Sequence, residues 1–592
     1  EQLTNVVVTS VTRQQETLSG AAASIFVIGA EDIRRSGATS LPEALRLAPN
    51  LQVARADNNQ YAISARGFNN ALANKLLVMI DGRTVYSPLF SGVFWEAQDV
   101  MLEDVDRIEV IGGPGATMWG SNAVNGVINI ITRPASQTQG ALVSAGAGNR
   151  ERGVAVRYGG VLGDEGHFRV YGKSFDRAHT AFASGAPIRD ESERSQGGFR
   201  LDWGRGSDRY TLQGDAYHGD IDQQPSARKL SGANILARWA RRHADGADTT
   251  VQAYYDRTER DQPGALQQDV DTYDLEAQHA RTIAAGHRLI FGAGYRYAQD
   301  KVQNSAAIAF LPADRSLSWG NLFVQNQVAL RDDVDLTLGA KIEANRYTGA
   351  EFLPTARLAW RPAAHRLVWG AVSRAVRAPS RIDREFFQPG RPPFIVAGGP
   401  NFASEVQTVY ELGYRAQPSS ALSYSATLFR HDHKRLRSIE STASGLQFDN
   451  GIAGTTTGME AWASYRVTSA WRLAAGFSRL SQSLHREAGS ADRGGLTSLG
   501  NDASDWQSLR STLDITPRHE LDVSVRRVGA LPNPVVPGYT AVDARLGWKV
   551  RRDLELSLIG QNLLDPRHPE WGVSTNRAEL QRAVFLRAIW RP

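Results

Sequence analysis

Ten short polar turns, spaced roughly 30 to 55 residues apart, punctuate most of this 592-residue chain. They are "LGDEG" (162–166), "GRGSD" (204–208), "HADGAD" (243–248), "AAGH" (284–287), "RDDVD" (331–335), "RPAAH" (361–365), "QPSS" (417–420), "VTSA" (467–470), "TPRH" (516–519) and "VRRD" (550–553). A longer, more variable loop lies between successive turns. Ten hairpins supply twenty strands, and one further strand at each end makes twenty-two. An even strand number, with short turns at one end and long loops at the other, is the pattern of a transmembrane β-barrel. A soluble sandwich or propeller also alternates, but nothing in it calls for that asymmetry.

The strands agree. In "AVFLRAIW", Val584, Leu586, Ala588 and Trp590 share one face, so lipid and lumen sides differ in character. No run approaches the roughly 18 apolar residues of a membrane helix. A mean hydropathy of −0.35 is what alternating strands average to. Without cysteine there is no disulfide framework and no thiolate metal site. A net charge of +5 is mild, and no basic run with interleaved aromatics points to nucleic acid. No signal peptide is present, and Glu1 reads as a mature or trimmed start.

A barrel of twenty-two strands is wide enough to need a stopper, and the first part of the chain offers one. "SIFVIGAEDIRRSG" reads as a strand entering a short helix. "SLPEALRLAPN" reads as a second helix, with Ser40 and Glu43 at capping-box spacing. "LLVMIDGRTV" is a buried strand with a turn at Asp81-Gly82. In "DRIEVIGGPGATMWGSNAVNGVINIITRP" (106–134), five glycines interrupt strand-forming sequence, as expected where backbone turns tightly against a wall. A phosphate-cradling loop would need a following Lys-Ser/Thr, which is missing. The expected domains are a flexible N-terminus over 1–12, a mixed α/β plug over 13–135 and the barrel over 136–592.

In this order, "ISARGF" (63–68), "LVMIDGR" (77–83), "RIEV" through "GVINIIT", "VRAPSR" (376–381), "YELGYR" (410–415), "GMEAWASY" (458–465) and "GQNLLDPRH" (560–568) resemble the TonB-dependent outer-membrane receptors over nearly the whole chain. The resemblance implies a monomer in the outer membrane of a Gram-negative bacterium, surrounded by lipid and lipopolysaccharide, importing a small extracellular ligand without enzymatic chemistry or a bound cofactor. It makes "LTNVVVTS" the TonB box, with Thr4, Asn5, Val6, Val7, Val8 and Thr9 offered to the periplasmic transducer TonB. Bottom-up, Val6–Thr9 is a strand without a local partner, suited to addition at another protein's sheet edge. The chain opens almost at this box, so transcriptional signalling through an extra N-terminal domain is not expected.

In the family a plug Arg of the "RG" motif, here Arg66, and a second Arg before "GP" face two barrel glutamates. By motif these are Glu411 and Glu460. Gly112 stands where the second Arg would be, so Arg107 is expected to reach over, or the plug is held more loosely. Gly112→Arg is then expected to stabilise. The C-terminal Trp590-Arg591-Pro592 also departs from the aromatic ending of relatives.

Family logic places the ligand where plug apices meet the outer loops. The expected apices are 54–61, with Asp57, Asn58, Asn59, Gln60 and Tyr61, and 85–95, with Tyr86, Phe90, Phe94 and Trp95. In the loop 377–402, Arg384, Phe387 and Arg391 offer cation and π surface to an anionic aromatic ligand. Haem receptors place an axial His in this stretch, and it has none. Copper import would favour Cys and Met ligands. His431 and His433 share a strand face and read as polar wall rather than a metal site. A ferric siderophore or similar metal chelate stands first, ahead of cobalamin, haem or an oligosaccharide. A passive gated porin is the reading from another class, although a porin has no use for a folded plug.

Overall fold

The computed structural model describes residues 6–592. Twenty-two antiparallel strands close into a barrel, the first (Gly140–Gly148) pairing with the last (Ala583–Trp590) through Val143 opposite Trp590. All ten predicted turns are hairpins at one end, and the longer connections, among them 178–191, 378–404, 487–504 and 562–582, gather at the other. The outer face is apolar: Val584, Leu586 and Trp590 point outward, as do Leu412, Leu428 and Leu509 on other strands. The inner face is polar, with Arg157, Arg194, Lys341 and Glu460 buried against the plug.

The plug fills the lumen. Its elements are β1 (Val7–Val8), β2 (Glu16–Thr17), β3 (Ser24–Gly29), α1 (Ala30–Ser36), α2 (Leu41–Leu45), β4 (Gln52–Arg55), β5 (Tyr61–Ser64), β6 (Leu76–Ile80), β7 (Arg83–Thr84), β8 (Val105–Gly112), α3 (Ala116–Trp119) and β9 (Gly126–Thr132). A five-stranded sheet runs β3-β8-β9-β6-β7, with β6 and β9 parallel and the other neighbours antiparallel. Both parallel strands are continuous apolar runs because both their faces are covered. Leu76–Ile80 is buried at every position. The main core joins Ile28, Leu41, Leu45, Ile63, Val78, Ile108 and Ile128. Each fully buried aliphatic side chain here contributes about 1.5–3 kcal/mol to the plug's own core.

The turn after β6 needs left-handed backbone at Asp81 (φ 51°) and Gly82 (φ 87°), as the sequence signal requires. The capping box at α2 does not form. Ser40 makes no cap hydrogen bond, and the Glu43 carboxylate instead takes bonds from Arg46 Nε (2.7 Å) and the Tyr61 hydroxyl (2.8 Å). A charged partner outcompetes a backbone N–H for that carboxylate.

Candidate functional site

Two constellations tie the plug to its wall, and a third ties the N-terminal strand to the plug. The first is built on the turn Arg66-Gly67-Phe68, all left-handed at φ 53°, 105° and 62°. Two non-glycine residues in that region store strain, which the surroundings must hold. The turn aims Arg66, 1% exposed, at the wall. Its Nε and Nη2 donate to both oxygens of Glu460 (2.9 and 3.0 Å), and Nη1 donates to Glu411 (2.8 Å). Ser24 adds a hydroxyl to Glu460 at 2.6 Å, and Phe429 lies under the guanidinium at 4.4 Å. Arg66 therefore serves both carboxylates alone.

Arg107 does not reach over. It pairs with Asp106 (2.6 Å) and Glu109 (2.8 Å) on its own strand, because β8 runs its side chain away from Glu411 and Glu460. At Gly112 and Gly113 the plug backbone lies close against the wall. A Cβ there would sit 2.8 and 2.9 Å from the Glu460 oxygens, and one at Gly113 would sit 2.6 Å from Glu411. The glycines of "IGGPG" make room for the ion cluster. An arginine at Gly112 would have to push the Glu460 carboxylate aside, which sets a steric cost against the expected stabilisation.

The second constellation lies higher. Lys75 contacts Glu405, which also accepts from Arg377 Nε (2.8 Å); Arg377 continues to Asp383 (2.6 Å). Burial pulls the Lys75 ammonium down to about 8 against the pull of Glu405. His433 and His431 line the wall beside it, facing inward together as expected, bonded to Thr456 (2.9 Å) and Gln407 (2.8 Å). Beside them, Asp502 of loop 487–504 accepts the Phe68 and Asn69 backbone N–H groups, each at 2.9 Å. With only those two donors against full burial, its carboxyl is pushed up to about 6.

The third constellation is at the short-turn end. Thr4 and Asn5 lie outside the described residues. Val6–Thr9 is not the unpartnered strand that its sequence suggests. Val7 pairs with Thr17 and Val8 with Glu16, and Val8 is fully buried beside Val11, Leu18 and Met79. Beyond it, the Thr9 and Ser10 N–H groups donate to the buried Glu109 carboxylate (3.0 and 2.8 Å). Val7 is 40% exposed, so one side of the strand stays open.

The expected apices are mostly closed. Asn58 and Asn59 hold the backbone carbonyl of Asp190 in loop 178–191 through their amides (2.9 and 2.8 Å). Asp57 caps the N–H groups of Asn59 and Gln60 in its own turn (2.7 Å each), with Tyr61 buried behind it. Trp95 belongs to the plug core, Phe90 packs on Phe310, Phe94 lies under Arg260 (3.8 Å), and Tyr86 meets Trp319 and Arg296. Loop 378–404 docks on the second apex through Ile382 N–H to the Leu89 carbonyl (2.8 Å). Arg384 is turned to the Phe402 carbonyl, Phe387 packs on Phe394 (4.7 Å), and Arg391 is exposed. The open apex is a third one that sequence reasoning passes over, Asn70–Asn74 between β5 and β6. Of plug residues 21–135, only Leu72 here and Glu31 at the opposite end are well exposed. Its signal is in the chain: turn-forming asparagines at 69, 70 and 74, with Lys75 abutting an apolar strand.

Residues 136–563 match the family model described as TonB dependent receptor-like, beta-barrel, and residues 17–127 match the TonB-dependent Receptor Plug Domain. The vitamin B12 transporter BtuB of Vibrio cholerae is 29% identical over 198 residues, 33% of this chain and 31% of that protein. The chain thus matches about a third of the length of that relative. The iron-regulated outer membrane virulence protein of Vibrio cholerae is 26% identical over 447 residues, 71% of this chain and 67% of the relative. Among solved structures, the ferric enterobactin receptor PfeA of Pseudomonas aeruginosa superposes with a TM-score of 0.79 at 15% identity, covering 99% of this chain and all of that one.

Proposed function

The chain belongs to the TonB-dependent outer-membrane receptors, and from that premise we propose that it imports a scarce metal chelate, most specifically a ferric siderophore, by energy-coupled transport. The observation that carries the reading is the filled lumen with a partly open strand, Val7–Val8, at its periplasmic end. A sealed barrel gives no diffusive passage, so import needs work from outside. An exposed strand edge is a handle a partner can pair with by main-chain hydrogen bonds. TonB is that partner in this reading, and the receptor acts as a monomer in lipid and lipopolysaccharide.

Ligand enters from the long-loop side. Its seat would be the Asn70–Asn74 apex, with Arg437 and the Arg391 loop as flanking cations and Phe387 and Phe394 as π surfaces. Asp57–Tyr61 and Tyr86–Trp95 then act one layer down, by transmitting loop movement to the plug. The iron-related names of two similar proteins support a ferric cargo. The BtuB likeness favours cobalamin as the second reading.

The test is import of radiolabelled ferric enterobactin and cyanocobalamin by a host stripped of its own receptors, with mass spectrometry of small molecules co-purifying with the protein. Uptake of the ferric complex supports the first reading and uptake of cobalamin alone the second. Passage of both without the proton-motive force would make the protein a pore.

A further inference from the structure

The inner wall is not the same all round. Strands 192–205, 228–242, 248–261 and 287–303 send large side chains inward, and these interlock with the plug. Arg194 donates to the Glu96 carbonyl, Arg260 covers Phe94, Arg296 meets Tyr86 and Asp256 pairs with Arg83. The facing strands, between 422 and 528, also send in large side chains such as Trp462, Arg472 and Arg510, but set Ser425, Ser464, Ala474, Gly476, Ser508 and Ser524 among them. Small side chains on one flank leave space there.

Three separate voids lie in a row along it. A cavity of about 210 Å³ separates β3, α1 and α2 of the plug from these small residues. Downward it shares Val6 and Val27 with a vestibule of about 1000 Å³ at the periplasmic face, beside the open strand edge. Upward it shares Arg46, Pro49, Ser508 and Arg526 with a void of about 40 Å³ that reaches Leu531 and Pro537 of the outer loop 529–538. The middle cavity also holds Ser425, whose hydroxyl is 97% buried and has no hydrogen-bond partner. A buried hydroxyl left unpaired at a cavity wall is satisfied only by something that enters the cavity.

Resting on the transport reading above, we propose that cargo descends along this flank, between plug residues 24–54 and wall strands 422–528, through a transit subsite at Trp462 and Ser425. The lining defines the cargo class. Phe26 and Trp462 meet edge to face at 5.7 Å, and Arg415, Arg472, Arg510 and Arg526 outnumber the carboxylates of Asp32 and Asp543. Aromatic faces under a net positive field suit an anionic chelate with planar aryl groups. Arg46 is the gate between the middle and upper voids. It is pinned by Glu43 (2.7 Å) and Glu570 (2.8 Å), and its release would join the two.

The chain has no cysteine, so single-cysteine variants report cleanly. In the purified resting receptor, Ser425→Cys and Ser508→Cys should react with 2-(trimethylammonium)ethyl methanethiosulfonate at least tenfold faster than Ala280→Cys, which is equally inward-facing on the interlocked flank. Equal rates, or a faster Ala280→Cys, would remove the open flank. In cells, the modified Ser425→Cys receptor should import less than a tenth as much ferric enterobactin or cyanocobalamin, whichever the unmodified variant carries, with surface binding unchanged. Undiminished import after complete modification would put the route elsewhere. If the unmodified receptor carries neither cargo, the transport reading fails and the route falls with it, while the resting labelling pattern still reports the void.

Discussion

The plug's own interior and its contact with the wall are built by opposite rules. Inside, β6, β8 and β9 bury mostly aliphatic side chains, with Glu109 a buried charge among them. At the wall, apolar contacts such as Phe90 with Phe310 and Met118 with Phe323 are joined by many ion pairs, most of them buried: Arg66 with Glu411 and Glu460, Lys75 with Glu405, Asp104 with Arg157, Asp32 with Arg472 and Arg510, and Arg35 with Asp522. Apolar surface exposed by movement is penalised by water, whereas a separated ion pair regains its hydration. The difference teaches that the polar part of the plug's attachment can be exchanged for solvent at less cost than its own core. Its attachments are individually strong to truncation yet replaceable by solvent.

The comparison breaks most sharply at Arg66. Arg66→Ala leaves two buried carboxylates without a cation and should cost about 3–5 kcal/mol of stability, read as a fall in thermal midpoint of the purified receptor. Retained stability would mean that the wall contact is not held by charge. Next comes Asp502, whose raised pKa means that the folded state holds its proton more tightly than the unfolded one. Its contribution therefore falls as pH rises from about 4 to about 6, by on the order of 2 kcal/mol. Stability of the wild type relative to Asp502→Asn should decline across that window, and a flat difference would count against the buried carboxylate. Gly112→Arg should destabilise by about 1–3 kcal/mol through overpacking against Glu460, where charge counting alone predicts a gain. Arg107→Ala should cost the least, about 1 kcal/mol, because the Thr9 and Ser10 N–H groups and the Ser10 hydroxyl still hold the buried Glu109 carboxylate.

The same contrast explains what the sequence discloses. Period-two alternation and turn composition are local properties, so all ten hairpins and the outward face of Val584, Leu586 and Trp590 can be read from the chain alone. The apolar runs of β6 and β9 are legible for the same reason. Arg66, Glu411 and Glu460 emerge from motif resemblance, and the fold joins them. What stays hidden is partner choice. Arg107 cannot be assigned to Asp106 and Glu109 without the direction of β8, and Ser40 loses Glu43 to Arg46 and Tyr61. Val8 reads as free because its partner, Glu16, follows a turn with no hairpin signature. Composition marks the apices at 54–61 and 85–95 as open, but aromatic and amide side chains serve equally well to seal a plug against loops.

The central claim is that work applied at Val6–Val8 drives import through a plug that otherwise seals the barrel. It is tested most directly by energised uptake in cells carrying Val7→Pro beside Val7→Ala, at matched surface levels and with surface binding of the same cargo measured in parallel. Proline removes one backbone donor and fixes φ in the strand, while alanine keeps the backbone bonds. The account predicts normal binding in both, uptake abolished by Val7→Pro and largely kept by Val7→Ala. Parental uptake by Val7→Pro would contradict it and leave a gated passive pore.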